Sequence, residues 1–370
     1  MKRRSLVAAT LPALILMACS NDDASAEAEQ VDESAPTAEA PFVVFAELDK
    51  GPGNITVTPT GEVLVSLHQF YGDDIRVASI AADGMLANFA AAANVNSVLG
   101  LQADANGVVW LLDNAMRGGA NRRLVGWSEA DNRVVAEIDL SDVTTARSFL
   151  NDLAVDAAQD TIFIADPAGG DDAAIIVVDT NAGTARRLLQ GHTSVTPEDI
   201  DLVIDGTPVT LQANDGSLLR PRIGVNPIAL DAAGDWLYYG PMHARSMYRV
   251  RAADLRDVEL SAEDLSARVE RWADKPICDG ISVDDAGNVY LGDLAANAIG
   301  VIGQDRRYRT LIEDAQLSWV DAFSFGADGD LYAVVNQLHR SAVLNGGESA
   351  VVPPYLIVKF EPLASGTVGR

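Results

Sequence analysis

The length, composition and charge of the chain limit what it can be. Its 370 residues include 53 acidic and 27 basic side chains, which gives a formal net charge of −26 at pH 7. Nucleic acids and anionic lipid surfaces are bound by clustered Lys and Arg, so this balance argues against both and permits cationic or neutral ligands. Zinc protease, dithiol, serine hydrolase and nucleotide hydrolase motifs are missing from the sequence, so those chemistries have no support.

The N-terminus has the pattern of an export signal. Residues 1–18 combine a basic start with an apolar run that is short for a membrane span. The run Leu16-Met17-Ala18-Cys19 resembles the bacterial lipobox, which implies that Cys19 is lipidated and becomes the mature N-terminus. A non-lipidated signal that is cleaved nearby is the alternative. Ser20 after Cys19 favours the outer membrane by the lipoprotein sorting rule, so we expect a lipid-anchored envelope protein facing the periplasm, or a secreted one.

Residues 19–41 predict a tether. This segment is rich in Ala, Glu, Asp and Ser, and Val31 is its only β-branched aliphatic residue. Such a composition cannot bury enough apolar surface to order itself, so we predict a disordered acidic linker. The folded domain is predicted over residues 42–370.

A repeat dominates this domain. Each copy has a polar start, a short apolar strand, a turn centred on Gly or Asp, and a second strand that often holds an aromatic residue. The six copies occupy residues 54–68, 100–114, 151–179, 226–241, 279–293 and 321–336. Repeats of this length with short strands and glycine turns are typical of a β-propeller in which each copy is one blade. The sequence therefore predicts an all-β, six-bladed β-propeller.

Further apolar runs supply the outer strands. Third strands are predicted at Ile75–Ile80, Leu124–Ser128, Ile175–Val178, Ser246–Val250, Ile299–Ile302 and Tyr355–Phe360. Fourth strands are predicted at Val134–Ile138, Ala185–Leu189, Val269–Trp272 and Thr310–Ile312. The last blade lacks a fourth strand, and Phe42–Leu48 lacks a hairpin partner. We therefore predict that Phe42–Leu48 completes the blade begun at Trp319, which closes a ring of four-stranded blades.

The main insertion spans residues 191–224, between the third and fourth blades. Asp205-Gly206 lies between two apolar runs and predicts a hairpin. The insertion is either a lid or a decoration of the rim, and a decoration is the simpler interpretation.

Polar residues mark one face of the predicted ring. In a hairpin, the start of strand one lies beside the end of strand two, and first strands line the axis of a propeller. The strand starts are Asn54, Asn151, Asp152, Asn226, Asp279 and Asp321, and the strand ends are His68, Asp113, Asp166, His243, Asp293 and Asn336. Carboxylates around one axis repel unless a cation, a proton or a donor-rich ligand is present. The pattern predicts an acidic small-molecule pocket, although each residue alone could instead satisfy a turn backbone.

The Asp residues of the D-x-x-G turns lie at the opposite face. Asp104, Asp156, Asp231 and Asp284 are predicted to bond the turn backbone and to have no ligand role.

Several motifs together resemble the yellow/major royal jelly protein family in its bacterial branch. They are Leu150-Asn151-Asp152, GHTSVTPE at 191–198, GVNPIAL at 224–230, YYGP at 238–241, and WVD at 319–321 with Asn336-Gln337-Leu338. The resemblance covers essentially the whole propeller. It implies an exported six-bladed propeller with a central pocket for a small organic molecule. Family members include amine binders and proteins linked to dopachrome conversion, so no single reaction is implied.

A more distant similarity concerns the gluconolactonase and senescence-marker propellers, and it implies an axial divalent metal held by Glu, Asn and Asp. Asn226 looks like the metal-binding Asn, Asp279 like the metal-binding Asp, and Asn151-Asp152 like the substrate pair. Asn54 stands in place of the expected Glu. With one carboxylate instead of two, the site would hold Ca²⁺ or another hard divalent ion less strongly, unless Asp152 or Asp321 restores the charge.

Three functions remain open from the sequence. The favoured one is a non-redox enzyme, either a lactonase-like hydrolase or a tautomerase/isomerase. Asp279 would be its metal ligand or general base, and Asn151, Asn226 and His68 would orient the substrate. The second is a non-catalytic binder of amines or aromatic molecules, and the third is a scaffold for protein partners. We expect a monomer that binds a small molecule.

Overall fold

The structure is a computed structural model, and it describes residues 41–81, 84–118, 121–169, 172–213 and 215–370. The predicted signal peptide, the predicted lipidation site Cys19 and the predicted tether up to residue 40 lie outside the described residues. Among the residues that are described, no helix has the length and apolar character needed to cross a bilayer.

Six four-stranded antiparallel sheets form the blades of a β-propeller, as the repeat predicts. The first strand of the domain, β1 (Val43–Leu48), belongs to the last blade. Blade one contains β2 (Pro52–Val57), β3 (Val63–Leu67), β4 (Val77–Ile80) and β5 (Leu86–Asn88). Blade two contains β6 (Val98–Ala103), β7 (Val108–Asp113), β8 (Arg123–Ser128) and β9 (Arg133–Asp139). Blade three contains β10 (Leu153–Asp156), β11 (Thr161–Asp166), β12 (Ala174–Asp179) and β13 (Thr184–Leu188).

The insertion follows blade three and contains two short hairpins. They pair β14 (Val203–Ile204) with β15 (Thr207–Pro208), and β16 (Leu211–Gln212) with β17 (Leu218–Leu219). The first hairpin turns at Asp205-Gly206, as predicted. Leu202, Ile204 and Val209 pack in one cluster with Met242, Trp319 and Leu338, so this arm is fixed to the ring by an apolar core.

The remaining blades follow the same plan. Blade four contains β18 (Val225–Leu230), β19 (Trp236–Pro241), β20 (Ser246–Arg251) and β21 (Glu270–Asp274), with the helices α1 (Ala252–Arg256) and α2 (Ala262–Ala267) before β21. Blade five contains β22 (Ile281–Val283), β23 (Val289–Asp293), β24 (Ala298–Ile302) and β25 (Tyr308–Glu313). Blade six contains β26 (Val320–Phe325), β27 (Leu331–Val335) and β28 (Tyr355–Phe360). Short 3-10 helices occupy Gln69–Tyr71, Ala91–Ala93, Ser141–Val143, Ala157–Gln159 and Leu338–Arg340.

Strand β1 closes the ring. It pairs with β28 from Val43 opposite Lys359 to Leu48 opposite Tyr355, which gives blade six its fourth strand. This confirms the predicted closure. The outer strand of blade one, Leu86–Asn88, is a strand that the sequence pattern did not predict.

The turns between the first two strands of the blades confirm why glycine recurs there. Gly61, Gly107, Gly234, Gly287 and Gly329 all have φ between 72° and 90°. In blade three Asp160 takes the same place with φ 49°, because Asp tolerates the left-handed region better than most residues.

The turn aspartates confirm their predicted role with one exception. Asp104, Asp231 and Asp284 each accept backbone N–H groups of their own turn. Asp156 instead forms an ion pair with Arg256 of α1, at 2.8 Å. Its turn contains Asp160 and not glycine, and the carboxylate serves packing between blades three and four.

Residues 363–370 cross the end of the axis where these turns lie, and they contact every blade. The Gly369 carbonyl accepts from Thr56 of blade one, and Gly369 lies against the Ala103 carbonyl of blade two. The Arg370 guanidinium donates to the carbonyls of Val155 and Asp231, in blades three and four, at 3.1 and 2.7 Å. Ser365 bonds Asp285 of blade five, and the backbone of Phe325 in blade six bonds Gly369 and Arg370.

Candidate functional site

The polar residues of the axis fall into two layers. The first strands of blades one, two, four and six carry a bulge that leaves two residues unpaired, and in blades three and five the two residues directly before the first strand take the same place. In β2, for example, Pro52 pairs with Leu67 but Ile55 pairs with Val65, so two residues are left between the paired positions. The first residue of each such pair belongs to an upper layer, formed by Gly53, Leu99, Asn151, Asn226, Asp279 and Asp321. The second belongs to a lower layer, formed by Asn54, Gly100, Asp152, Pro227, Gly280 and Ala322.

The upper layer forms the floor of a cavity of about 230 Å³, called the axial cavity below. Its floor holds Asn151, Asn226, Asp279 and Asp321. Its wall is mostly apolar, and includes Phe70, Phe149, Leu211, Ile223, Met242, Trp319, Leu338 and Leu344 together with His68, Arg147 and Arg222. The insertion contributes Leu211, Arg222 and Ile223, so it is part of the cavity wall as well as a rim decoration.

A chain of hydrogen bonds leads across the floor to Asp279. The Asn151 amide donates to Asn226 Oδ1, and the Asn226 amide donates to Asp279 Oδ1. From the other side, the indole Nε1–H of Trp319 donates to Asp279 Oδ2 at 2.7 Å. Both oxygens of the Asp279 carboxylate are therefore held by donors.

Asp321 is held from the outside of the ring. Asn336 Nδ2 donates to Asp321 Oδ2 and also to the Pro52 carbonyl, at 3.0 Å for the latter. The Tyr71 hydroxyl donates to the backbone carbonyl of Asn336 at 2.6 Å. Asn336 is thus a support for Asp321 and does not line the axial cavity.

The electrostatics of the two floor carboxyls favour a bound proton near neutral pH. Burial raises the pKa of Asp279 to about 7, although the hydrogen bonds from Trp319 and Asn226 oppose the rise. Burial also raises the pKa of Asp321 well above its usual value, and the charge of Asp279 adds to the effect. Within the described ranges, neither carboxyl has an ion pair with Lys or Arg. The pair can therefore take up and release a proton close to pH 7.

The lower layer borders a separate, smaller space of about 30 Å³, called the lower chamber. Asn54 donates to Asp152 Oδ1 at 3.0 Å, and burial raises the pKa of Asp152 to about 7. Arg370 and Gly369 form part of the chamber's other end. The sequence grouped Asn54 and Asp152 with the residues of the axial cavity, whereas both lie one residue deeper, Asn54 as the second residue of the bulge in β2 and Asp152 directly before β10.

His68, one of the predicted strand-end residues, lines the axial cavity. Its Nδ1 accepts from the Phe70 N–H at 3.2 Å, and burial lowers its pKa to about 3. The ring is therefore neutral with its proton on Nε2, which is available to a ligand.

The other strand ends do not join the axial cavity. Asp113 accepts from the Ser97 N–H and pairs with Arg123, and Asp166 pairs with Arg187. Asp293 accepts from the Tyr308 hydroxyl, and His243 Nδ1 accepts from the Ile223 N–H. These residues form hydrogen bonds and ion pairs within loops and at strand ends, which corresponds to the alternative interpretation given for each.

The predicted metal ligands fit a divalent ion poorly as they stand. Asn226 donates its amide N–H to Asp279 and uses its oxygen for Asn151, and Asn54 lies in the lower layer. The upper-layer position of blade one is Gly53, which has no side-chain atom that could bind a metal ion. Among the described residues there is no group of three or more His, Cys, Asp or Glu arranged to hold a metal.

Trp319 is the site residue that the polar pattern missed. It belongs to the motif that carried the family resemblance, but nothing in the pattern joined its N–H to Asp279, 40 positions earlier in the chain. Phe70 and Phe149 were missed because they lie in loops outside the repeat.

Comparison with known proteins gives a family and a fold. A family profile described as "Major royal jelly protein" matches residues 96–348, and curated proteins give no match. A gluconolactonase from Xanthomonas campestris superposes with TM-score 0.54 at 13% identity, covering 87% of this chain and 89% of the other.

Two further solved structures have the same fold. A luciferin-regenerating enzyme has TM-score 0.55 at 12% identity, covering 89% of this chain and 98% of its own. A virginiamycin B lyase from Staphylococcus aureus has TM-score 0.51 at 14% identity, covering 87% and 98%. At these identities, the likeness extends to the fold alone.

Proposed function

This chain belongs to the major royal jelly protein family, and we propose that its axial cavity performs acid–base chemistry on a small, largely apolar molecule. Asp279 is the general base of this proposal, and Asp321 is the carboxyl that shares its proton. The proposal is a non-redox enzyme, acting either as a tautomerase/isomerase or as a hydrolase of apolar lactones.

The observation that carries this proposal is the pair of carboxyls on the floor of the axial cavity without a cationic partner. A general base works best when its pKa lies near the working pH, because it is then both available and strong enough to take a proton. The pKa of Asp279 is about 7, and its two oxygens are oriented by Trp319 and Asn226. Neutral His68 and the Asn151 amide can bind the oxygen atoms of a substrate.

The wall of the cavity supports a choice of substrate class. Sugar lactones carry a hydroxyl on nearly every carbon, and each hydroxyl that is buried against Phe or Leu without a partner costs free energy. Phe70, Phe149, Leu338 and Leu344 offer no such partners. An aromatic or alicyclic substrate with one or two oxygens at the floor end matches the wall better.

The test uses two probes of that kind. Phenylpyruvate, followed by its keto–enol absorbance, reports tautomerisation, and dihydrocoumarin, an aromatic lactone, reports hydrolysis. We expect turnover of at least one probe, and we expect Asp279→Asn to lower kcat by about 100-fold or more. The matched control is Asp104→Asn, because Asp104 is also a buried carboxyl that accepts a tryptophan N–H, but it lies in a turn at the other face. Turnover that survives Asp279→Asn would exclude Asp279 as the base.

A second candidate, a non-catalytic amine binder, is favoured by the same unpaired carboxyls, since an ammonium group would neutralise them. Calorimetry with phenethylamine separates the two. Binding that is abolished by Asp321→Asn, together with no turnover of either probe, would favour the binder over the enzyme. If the propeller binds neither the amine nor the probes, the remaining hypothesis is a scaffold for protein partners.

A further inference from the structure

Trp319 has an unusual backbone conformation. Its φ is +65°, and among the described non-glycine residues with positive φ it is the only aromatic one. A bulky side chain in the left-handed region crowds its own carbonyl, which strains the backbone. Such strain persists only where the surroundings impose it, and it is concentrated at functional sites.

The residues around Trp319 hold it in this strained conformation. The side chain is 1% exposed and packs with Met242, Leu338 and Leu344. Its indole ring stacks on His339, with 5.9 Å between ring centroids and 12° between planes. Its backbone carbonyl accepts from the Asn336 N–H at 3.2 Å. The loop after β27 therefore fixes both the backbone and the ring.

This conformation brings the indole to Asp279, the carboxylate that acts as the base in the proposed function. Nε1–H lies 2.7 Å from Asp279 Oδ2, while Asn226 donates to Oδ1, so the carboxylate plane is fixed from two sides. The ring also lines the axial cavity. A hydrogen bond to a carboxylate stabilises its anionic form, which is the form that a base needs.

We propose that Trp319 is the positioning residue for Asp279, and that the strained backbone is kept because it delivers the indole N–H to that carboxylate at the cavity wall. The inference rests on the proposed function, since it concerns the same carboxyl. It differs from a packing role, in which any large aromatic ring at position 319 would serve.

The test measures the carboxyl directly. The isosteric analogue benzothienylalanine, placed at position 319 by nonsense suppression in the full chain, keeps the ring size and removes the N–H. Trp319→Phe is the second variant. The readout is the ¹³C NMR titration of ¹³Cγ-labelled Asp, with the Asp279 signal assigned by its loss in Asp279→Asn. We expect the midpoint of the Asp279 titration to move upward by about one to two pH units in both variants.

The matched control is Trp110→Phe. Trp110 also donates its indole N–H to a buried aspartate, Asp104, at 3.1 Å, but at the turn face. We expect this variant to leave the Asp279 titration in place. Thermal melts of all variants show whether each is folded.

The outcomes separate this inference from the proposed function. A folded benzothienylalanine variant with an unchanged Asp279 titration would overturn the positioning role and leave Asp279 as the base. A shifted titration together with full turnover in Asp279→Asn would support the hydrogen bond and overturn the proposed function. If turnover is found, the pH at which kcat rises to half its maximum should move up with the titration, which a packing role alone would not cause.

Discussion

Asp152 offers a direct test of how the axis holds buried carboxyls, because it takes no part in the proposed chemistry. Asp152 Oδ1 accepts from the Asn54 amide and from the Leu153 N–H. In Asp152→Asn the amide oxygen can accept the same two bonds, so the shape of the lower chamber is kept. What changes is that position 152 can no longer ionise.

The expected effect follows from the raised pKa of Asp152. Burial raises it to about 7 from a usual value near 3.8. Below about pH 4 the carboxyl is protonated in the folded and the unfolded chain alike. As the pH rises towards 7 the unfolded chain loses the proton first, so stability falls, and above about pH 7 it falls no further on this account. The full change is about 4 kcal/mol, of which about 3 kcal/mol lies between pH 5 and pH 8.

Melting curves at several pH values measure this difference. For a domain of roughly 330 residues, 3 kcal/mol corresponds to about 4 °C in melting temperature. We therefore expect the melting temperature of Asp152→Asn, relative to the natural protein, to rise by about 4 °C between pH 5 and pH 8. Asp142→Asn, at an exposed carboxyl, serves as the control and should show no such trend. If the two proteins keep the same difference at every pH, Asp152 is not a buried acid with a raised pKa.

Two further predictions concern metal binding and the packing of residues 363–370 at the lower end of the axis. Because Asn54 lies in the lower layer and Asn226 is engaged by Asn151, we expect 1 mM calcium to raise the melting temperature by no more than about 1 °C, and chelator to have no effect; a stoichiometric metal in the purified protein would contradict this. Gly369→Ala should lower the free energy of unfolding by about 1–3 kcal/mol more than Gly329→Ala, as measured by denaturant titration. The two glycines have nearly equal φ, +89° and +90°, but a Cβ at 369 would lie 2.5 Å from the Ala103 carbonyl oxygen whereas one at 329 meets nothing within 4 Å; equal losses would mean that the segment is not tightly seated.

The repeat made the fold predictable from the sequence. Turn residues that need a positive φ are restricted to a few types, so the glycines, and Asp160 in the place of one, mark every hairpin. The unpaired first strand and the incomplete last blade together predicted the ring closure. The short outer strand of blade one was not predicted, because Leu86–Asn88 is mostly exposed and has little apolar pattern.

The site was less predictable than the fold. The order of the strands in the sequence does not show how deep along the axis each polar residue lies. Asn54 and Asn226 both stand near the start of a first strand, yet the bulge puts Asn54 second and Asn226 first in the unpaired pair. The partner of Trp319 depends on a left-handed backbone, for which a tryptophan gives no sequence signal. Residues 363–370 lack a strand pattern altogether, and their position depends on backbone bonds to blades five and six and on side-chain bonds and close contacts with the other four blades.

The position of residues 363–370 has a kinetic consequence. A channel that is open at both ends lets product leave ahead of the next substrate, but here Gly369 and Arg370 lie across the lower end. A molecule in the axial cavity therefore enters and leaves on the side away from residues 363–370, and Leu211 and Ile223 of the insertion form part of the wall of that cavity. In the enzyme that we propose, product leaves by the route that the next substrate must use, so slow release should delay the next turnover, and shortening Leu211 or Ile223 should speed release before it changes the chemistry.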